Sequence, residues 1–171
     1  ERIAEFSGKP ASINPNFMNS EQLEISHALY RVKRAQRFAR SPQIHLGYFS
    51  GTPTHNLDLD LAAGAIARLL ERRQEVVVRI VGYMELRSRL ADFKSRVECI
   101  AFQDFINLQR FVAEVELNLM PLQNNIFTSC KSELKYFEAG IVGTISVASS
   151  VGTYRDSIRD GANGFLAKDF E

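Results

Sequence analysis

Ile44-His45-Leu46-Gly47-Tyr48-Phe49-Ser50-Gly51-Thr52-Pro53-Thr54-His55-Asn56 reads as a strand that ends in a glycine-bearing turn and passes directly into a helix. The helix is predicted over Asn56–Arg72, where Leu59, Ala63, Ile66 and Leu70 recur at the spacing of one helical face. Glu75–Val81 follows, a run so rich in Val and Ile that it is expected to be covered on both sides. Strand, helix and strand joined by short turns are the signature of a parallel sheet.

The alternation continues outward from this unit. Helices are predicted at Glu85–Phe93, Phe105–Glu114, Ser129–Ala139 and Thr153–Arg159. Strands are predicted at Val97–Ala101, Leu117–Met120, Thr144–Ala148 and Gly164–Ala167. The fold class is therefore α/β, a Rossmann-like, doubly wound parallel sheet of about six strands within residues 43–171. Residues 1–42 differ. Residues 7–20 are rich in Ser, Asn, Pro and Gly and read as loop around a short extended piece near Ala11–Asn14. Ser20 then opens a helix to about Ala39, with Ile25, Leu29 and Val32 at helical spacing. Arg31, Lys33, Arg34, Arg37 and Arg40 occupy its other faces, a solvated surface in the first reading and a membrane or partner contact in the second.

A chain of 171 residues, 45% hydrophobic and 24% charged, has the composition of one globular domain with an attached segment. Twenty-one basic residues against twenty acidic ones leave a net charge of +1, so no global field argues for nucleic acid, and any anion site must be local. Cys99 and Cys130 form neither a disulfide framework nor a zinc spacing, which fits a reducing cytoplasm. The Val76–Val78 run is broken at once by Arg79, far short of the roughly 20 apolar residues of a membrane span. Because the chain begins at Glu1 without Met, it reads as a piece of a longer protein.

In a doubly wound sheet ligands bind outside the carboxyl ends of the strands, so the loops after strands carry the search. Gly51 lets backbone approach a phosphate closely, and the helix start behind it offers free amides. A plain turn capped by Asn56 accounts for the same residues. The loop is neither the Gly-x-Gly-x-x-Gly dinucleotide turn nor a phosphate loop ending in Gly-Lys-Ser/Thr. Asp58-Leu59-Asp60 has the form of a metal motif, but carboxylates in a first helical turn are explained by the helix dipole. No metal site is expected. In the helix expected from Ser129, Cys130, Leu134, Phe137 and Ile141 share an apolar stripe, which makes Cys130 a small core residue rather than a nucleophile. Lys131, Lys135 and Glu138 gather on another face. That face is either a solvated set of ion pairs or a site where Lys131 and helix amides meet a diphosphate while Glu138 accepts ribose hydroxyls. Periodicity leaves both open. His27 and His45 read as surface or packing residues.

Lys131-Ser132-Glu133-Leu134-Lys135-Tyr136-Phe137-Glu138-Ala139-Gly140, then Gly143-Thr144 and Val147-Ala148-Ser149, resembles the donor-site stretch of family 4 (group 1) glycosyltransferases. Gly152-Thr153-Tyr154-Arg155-Asp156 and Asp160-Gly161-Ala162-Asn163-Gly164-Phe165-Leu166 are similar to that family's last helix, turn and strand. Tyr48–His55 resembles the opening strand and loop of a subgroup found beside polysaccharide-assembly genes. The resemblance covers about residues 43–168. It implies a GT-B enzyme with two Rossmann-like domains, this one holding the nucleotide-diphosphate sugar and a missing amino-terminal one the acceptor. Transfer would retain the anomeric configuration without metal or further cofactor, at a cytoplasmic site, on the inner face of the membrane where the acceptor is lipid-linked.

The resemblance assigns Lys131 and Glu138 as the catalytic residues. Donor contacts fall to Gly51, Thr52, His55, Gly82, Phe102, Gln103, Lys131, Ser132, Glu133 and Glu138. Two departures stand out. Cys130 replaces the family's usual first Glu, and Thr52 stands where an Arg is common, with His55 taking over part of the phosphate contact. Phe102-Gln103-Asp104 marks the base site, although an ordinary turn with Asp104 as helix cap reads the same residues. Pro10–Asn19 is similar to the link between the two domains, which makes residues 1–42 interdomain link and helix. The alternatives are a receiver-like or nucleotide-sensing α/β module, for which the loop after Phe49 lacks the acidic pair, and one half of a sugar-nucleotide epimerase.

Overall fold

Six strands form one parallel sheet in the order β3-β2-β1-β4-β5-β6. They are β1 (Ile44–Ser50), β2 (Val76–Gly82), β3 (Val97–Ile100), β4 (Leu117–Met120), β5 (Ile145–Ser149) and β6 (Phe165–Ala167). The computed structural model describes all residues except 1, 13, 15, 40, 52–55, 84, 85, 87 and 169–171. The strand order reverses between β1 and β4, the switch point of a doubly wound sheet. The expected α/β class is the observed one.

Successive residues of β1 point to opposite faces, and the two cores follow from that alternation. Leu46 and Tyr48 meet Leu59, Ala63, Ile66 and Leu70 of α3 (Asn56–Arg72), together with Val76, Val78 and Ile80 of β2. Phe49 and Val81 face the other way, onto Val112 of α4 (Phe105–Glu114) and Ala139 and Val142 at α5 (Leu134–Ile141). Of the remaining helices, α1 spans Arg2–Ser7, α2 spans Ser20–Ala35 and α6 spans Gly152–Ser157. Helix α2 lies on α4 and α5, where Leu29 joins the second core and Lys33 Nζ donates to Thr144 Oγ1 at 3.0 Å. No helix of the described residues is long and apolar enough to cross a membrane.

Several expectations are corrected here. Of the segment expected as helix Glu85–Phe93, Glu85 and Arg87 lie outside the described residues, and residues 88–93 fall in Ser88–Arg96, two short 3-10 turns separated by a kink at Phe93 (φ −109°, ψ 24°). No strand occurs among the described residues of Ala11–Asn14. Helix α2 ends at Ala35 because Arg37 and Phe38 take left-handed φ values of 54° and 53°. Val32 is 56% exposed, and Ser26 and Leu29 carry the inward face instead.

The helix expected over Ser129–Ala139 is broken into a 3-10 turn, Thr128–Cys130, and α5. In a continuous helix the Lys131 carbonyl would accept from the amide of Lys135. Here it accepts from Thr153 Oγ1 at 3.0 Å, and Lys131 itself is extended at φ −74°, ψ 150°. Cys130 is consequently exposed rather than core-facing.

Candidate functional site

β1 and β2 end side by side, with Ser50 opposite Gly82. Gly82 has φ 128°, and a Cβ there would lie 1.7 Å from the Ser50 carbonyl oxygen, so only glycine fits. Beyond these strand ends lies a cavity of about 80 Å³ lined by Phe49, Ser50, Gly51, Val81, Gly82, Phe102, Gln103, Leu108, Lys135 and Glu138. Five residues singled out in the sequence, Gly51, Gly82, Phe102, Gln103 and Glu138, thus converge at one place on the carboxyl edge. Phe102 is half exposed and stacks on Tyr83, with ring centroids 5.3 Å apart and planes 16° apart. Gln103 Nε2 donates to the Ala101 carbonyl at 2.9 Å. Asp104 caps α4: its carboxylate accepts from the Asn107 amide at 2.8 Å, which holds the carboxyl below its ordinary pKa.

Glu138 reaches the cavity from α5. Its Oε1 accepts from Gln22 Nε2 of α2 at 3.1 Å, and burial pushes its carboxyl above the ordinary value. Gln109 Nε2 donates to its backbone carbonyl at 2.7 Å, which fixes this turn of the helix against α4. One turn earlier, Lys135 Nζ donates to the Phe49 carbonyl at 2.7 Å and sits 5.6 Å from the Tyr48 ring centroid. Burial, assisted by the charge of Lys131, lowers the Lys135 amine to about 8.

Lys131, Ser132 and Glu133 form the turn before α5 and do not line the cavity. Glu133 takes the cap position of α5 without a side-chain bond to the helix start, and its carbonyl accepts from the Tyr136 amide at 2.8 Å. Lys131 follows β4 and reaches toward the start of α3, with Nζ 3.6 Å from Asp58 Oδ2 and 5.3 Å from the Phe127 ring centroid. Thr52 and His55 lie outside the described residues.

Two contributors went unassigned in the sequence. Lys135 shares a helical face with Glu138, so spacing alone could have added it. Asp58 was explained there by the helix dipole, whereas the structure buries it at the start of α3 and gives it specific partners. Its Oδ1 accepts from the Gln123 amide at 3.1 Å and from Gln123 Nε2 at 3.3 Å. Burial first, and then the negative charge of Asp58, pushes the phenols of Tyr48 and Tyr154 upward. No group of three or more His, Cys, Asp or Glu able to hold a metal ion occurs among the described residues. His45 pairs with Glu116 at 3.7 Å on the amino side of the sheet, and His27 is exposed, so neither takes part.

A sheet of order 3-2-1-4-5-6 with Gly82, Phe102 and Glu138 meeting at its carboxyl edge has the plan of a nucleotide-binding half-fold. The sequence profile of the family described as "Glycosyl transferases group 1" matches residues 44–171. The chain belongs to the group 1 glycosyl transferases. Membership in that family leaves the receiver-like alternative without support.

Among solved structures, Anabaena HepE in complex with UDP-glucose is 17% identical with a TM-score of 0.57, over 91% of this chain and 41% of that one. WaaG, described as a glycosyltransferase involved in lipopolysaccharide biosynthesis, is 21% identical with a TM-score of 0.61, over 96% and 46%. A glycosyltransferase from Rickettsia africae is 13% identical with a TM-score of 0.59, over 91% and 42%. At these identities the likeness is one of fold. The chain spans less than half the length of each of these three proteins. No curated protein sequence gives a significant match.

Proposed function

We propose that this chain is the donor-binding part of a glycosyltransferase and holds a nucleotide-diphosphate sugar at the carboxyl edge of β1, β2 and β3. The observation that carries the reading is the cavity that joins Gly51, Gly82, Phe102, Gln103 and Glu138, residues from four separate stretches of the chain. Phe102 and Glu138 of this set, and Lys131 beside it, have chemistry that suits the parts of such a ligand. The half-exposed Phe102 offers a face for a base, Glu138 accepts hydroxyl donors of a ribose, and Lys131 with the first amides of α5 faces the diphosphate. The cavity is smaller than the roughly 300–1,000 Å³ of closed ligand sites. One wall of a cleft, completed by an acceptor-binding domain, accounts for that size.

Transfer with retention and without a metal ion belongs to the same proposal. Charge on the leaving nucleoside diphosphate is then met by Lys131 and helix amides where other enzymes use a divalent cation. The sugar is handled without the usual first Glu, since Cys130 stands there, exposed at the turn. A glycan or lipid-linked acceptor in polysaccharide assembly, and a cytoplasmic site at the membrane face, complete the reading. The Anabaena protein solved with UDP-glucose supports a nucleotide-sugar as the ligand class.

Thermal unfolding with added nucleotides tests this. UDP or GDP at about 100 times its Kd stabilises by about 2.7 kcal/mol, a rise of about 5–10 °C in Tm for a chain of this size, without added metal. No rise with UDP, GDP or ADP overturns the proposal.

A further inference from the structure

We propose that Asp58 is the positioning residue for Lys131, holding its ammonium group at the switch point where the diphosphate of a nucleotide donor meets the protein. The inference rests on the donor-site reading and extends it to a residue on the opposite side of the switch point. Asp58 opens α3, directly after the loop that follows β1, while Lys131 follows β4, so the pair joins the two strands between which the sheet order reverses.

The geometry is that of a fixed carboxylate acting on a movable amine. Asp58 is buried, and the Gln123 amide and side chain at 3.1 and 3.3 Å hold its Oδ1. Its Oδ2 lies 3.6 Å from Lys131 Nζ. The Phe127 ring flanks the ammonium group at 5.3 Å. Lys131 nevertheless keeps a quarter of its side chain exposed (25% against 3% for Asp58), so a ligand can reach its ammonium group while the carboxylate behind it stays buried. A lysine free in water must lose rotamer freedom to bind a phosphate, and one already held in place loses less. Lys131 and Lys135 also repel each other, and the charge of Asp58 acts on Lys135 in the opposite sense, so one carboxylate serves both cations. Asp58 itself would touch no substrate atom.

Calorimetric titration of the protein with UDP and uridine, and with GDP and guanosine, separates this from a purely structural role. Lys131→Ala should weaken the diphosphate about tenfold or more and Asp58→Asn about fivefold, while the double variant binds no more weakly than Lys131→Ala alone. Nucleoside binding should change less than about twofold in all three. Should Asp58→Asn fail to fold, Gln123→Ala removes one anchor of the carboxylate and should weaken the diphosphate about two- to threefold, again sparing the nucleoside. Unchanged or tighter diphosphate binding in Asp58→Asn, losses that add in the double variant, or equal losses for nucleoside and diphosphate overturn the positioning role while the donor reading stands. If the unaltered protein binds neither UDP nor GDP, the donor reading falls first and the inference with it.

Discussion

Replacing Gly82 by alanine separates what the strand edge needs for folding from what a ligand needs. The added Cβ would lie 1.7 Å from the Ser50 carbonyl oxygen, and real Cβ contacts do not fall below 3.0 Å, so β1 and β2 must part by more than an ångström at their carboxyl ends. The Ser50 oxygen belongs to backbone and the Cβ position is fixed by backbone, so no side-chain rotation relieves the clash. The φ of 128° adds strain of about 1–3 kcal/mol for any residue with a side chain. Together these predict a loss of about 4–5 kcal/mol, at the upper end for single substitutions and a large part of a typical 5–15 kcal/mol stability. Gly161→Ala is the control. Its φ is 73°, but nothing lies within 4 Å of the added Cβ, so only the left-handed conformation is penalised, by about 1–2 kcal/mol. Urea unfolding followed by circular dichroism, with both variants side by side, gives the two losses. Equal losses, or a Gly82→Ala variant less than about 2 kcal/mol below the unaltered protein, would refute the packing argument for this edge.

Two further outcomes follow from the ionisable groups on α5. With the Lys135 amine at about 8 in the folded chain against an ordinary 10.5, the unfolded chain holds a proton that the folded one has released across that interval. Stability attributable to Lys135 therefore rises from pH 8 to 10.5, by about 1–3 kcal/mol, and urea midpoints across that range should show the rise in the unaltered protein and not in Lys135→Met. Glu138→Ala should weaken UDP or GDP binding by about tenfold while lowering Tm by only a few degrees; unaltered affinity would remove Glu138 from the ligand's contacts.

How much was legible in the sequence depended on where the determining contacts lie. Asn56–Arg72, Phe105–Glu114 and Leu117–Met120 are found where periodicity placed them, because their apolar spacing and, for α4, the Asp104 cap are local. Gly82, Phe102 and Gln103 were singled out through the family resemblance, and topology explains why they gather, since parallel strands deliver the loops after them to one edge. The break at Lys131 was not, because Thr153, 22 residues further on, takes the carbonyl that would have continued the helix. The error over Cys130 followed from the same contact. Asp58 looked like an ordinary first-turn carboxylate because its anchor, Gln123, lies 65 residues away. Ser26 faces inward in place of Val32 because α2 packs into the angle between two helices, a geometry that one helical stripe does not encode.

The central claim is a location as well as a ligand: a nucleoside diphosphate at the carboxyl edge. Amide chemical-shift mapping during titration with UDP or GDP tests both at once. The account predicts saturable shifts at Gly51, Gly82, Phe102, Gln103 and Lys131–Glu138, with Gly143 and Ile145 at the amino edge unmoved. Shifts confined to that amino edge, or none at any nucleotide concentration, would contradict it.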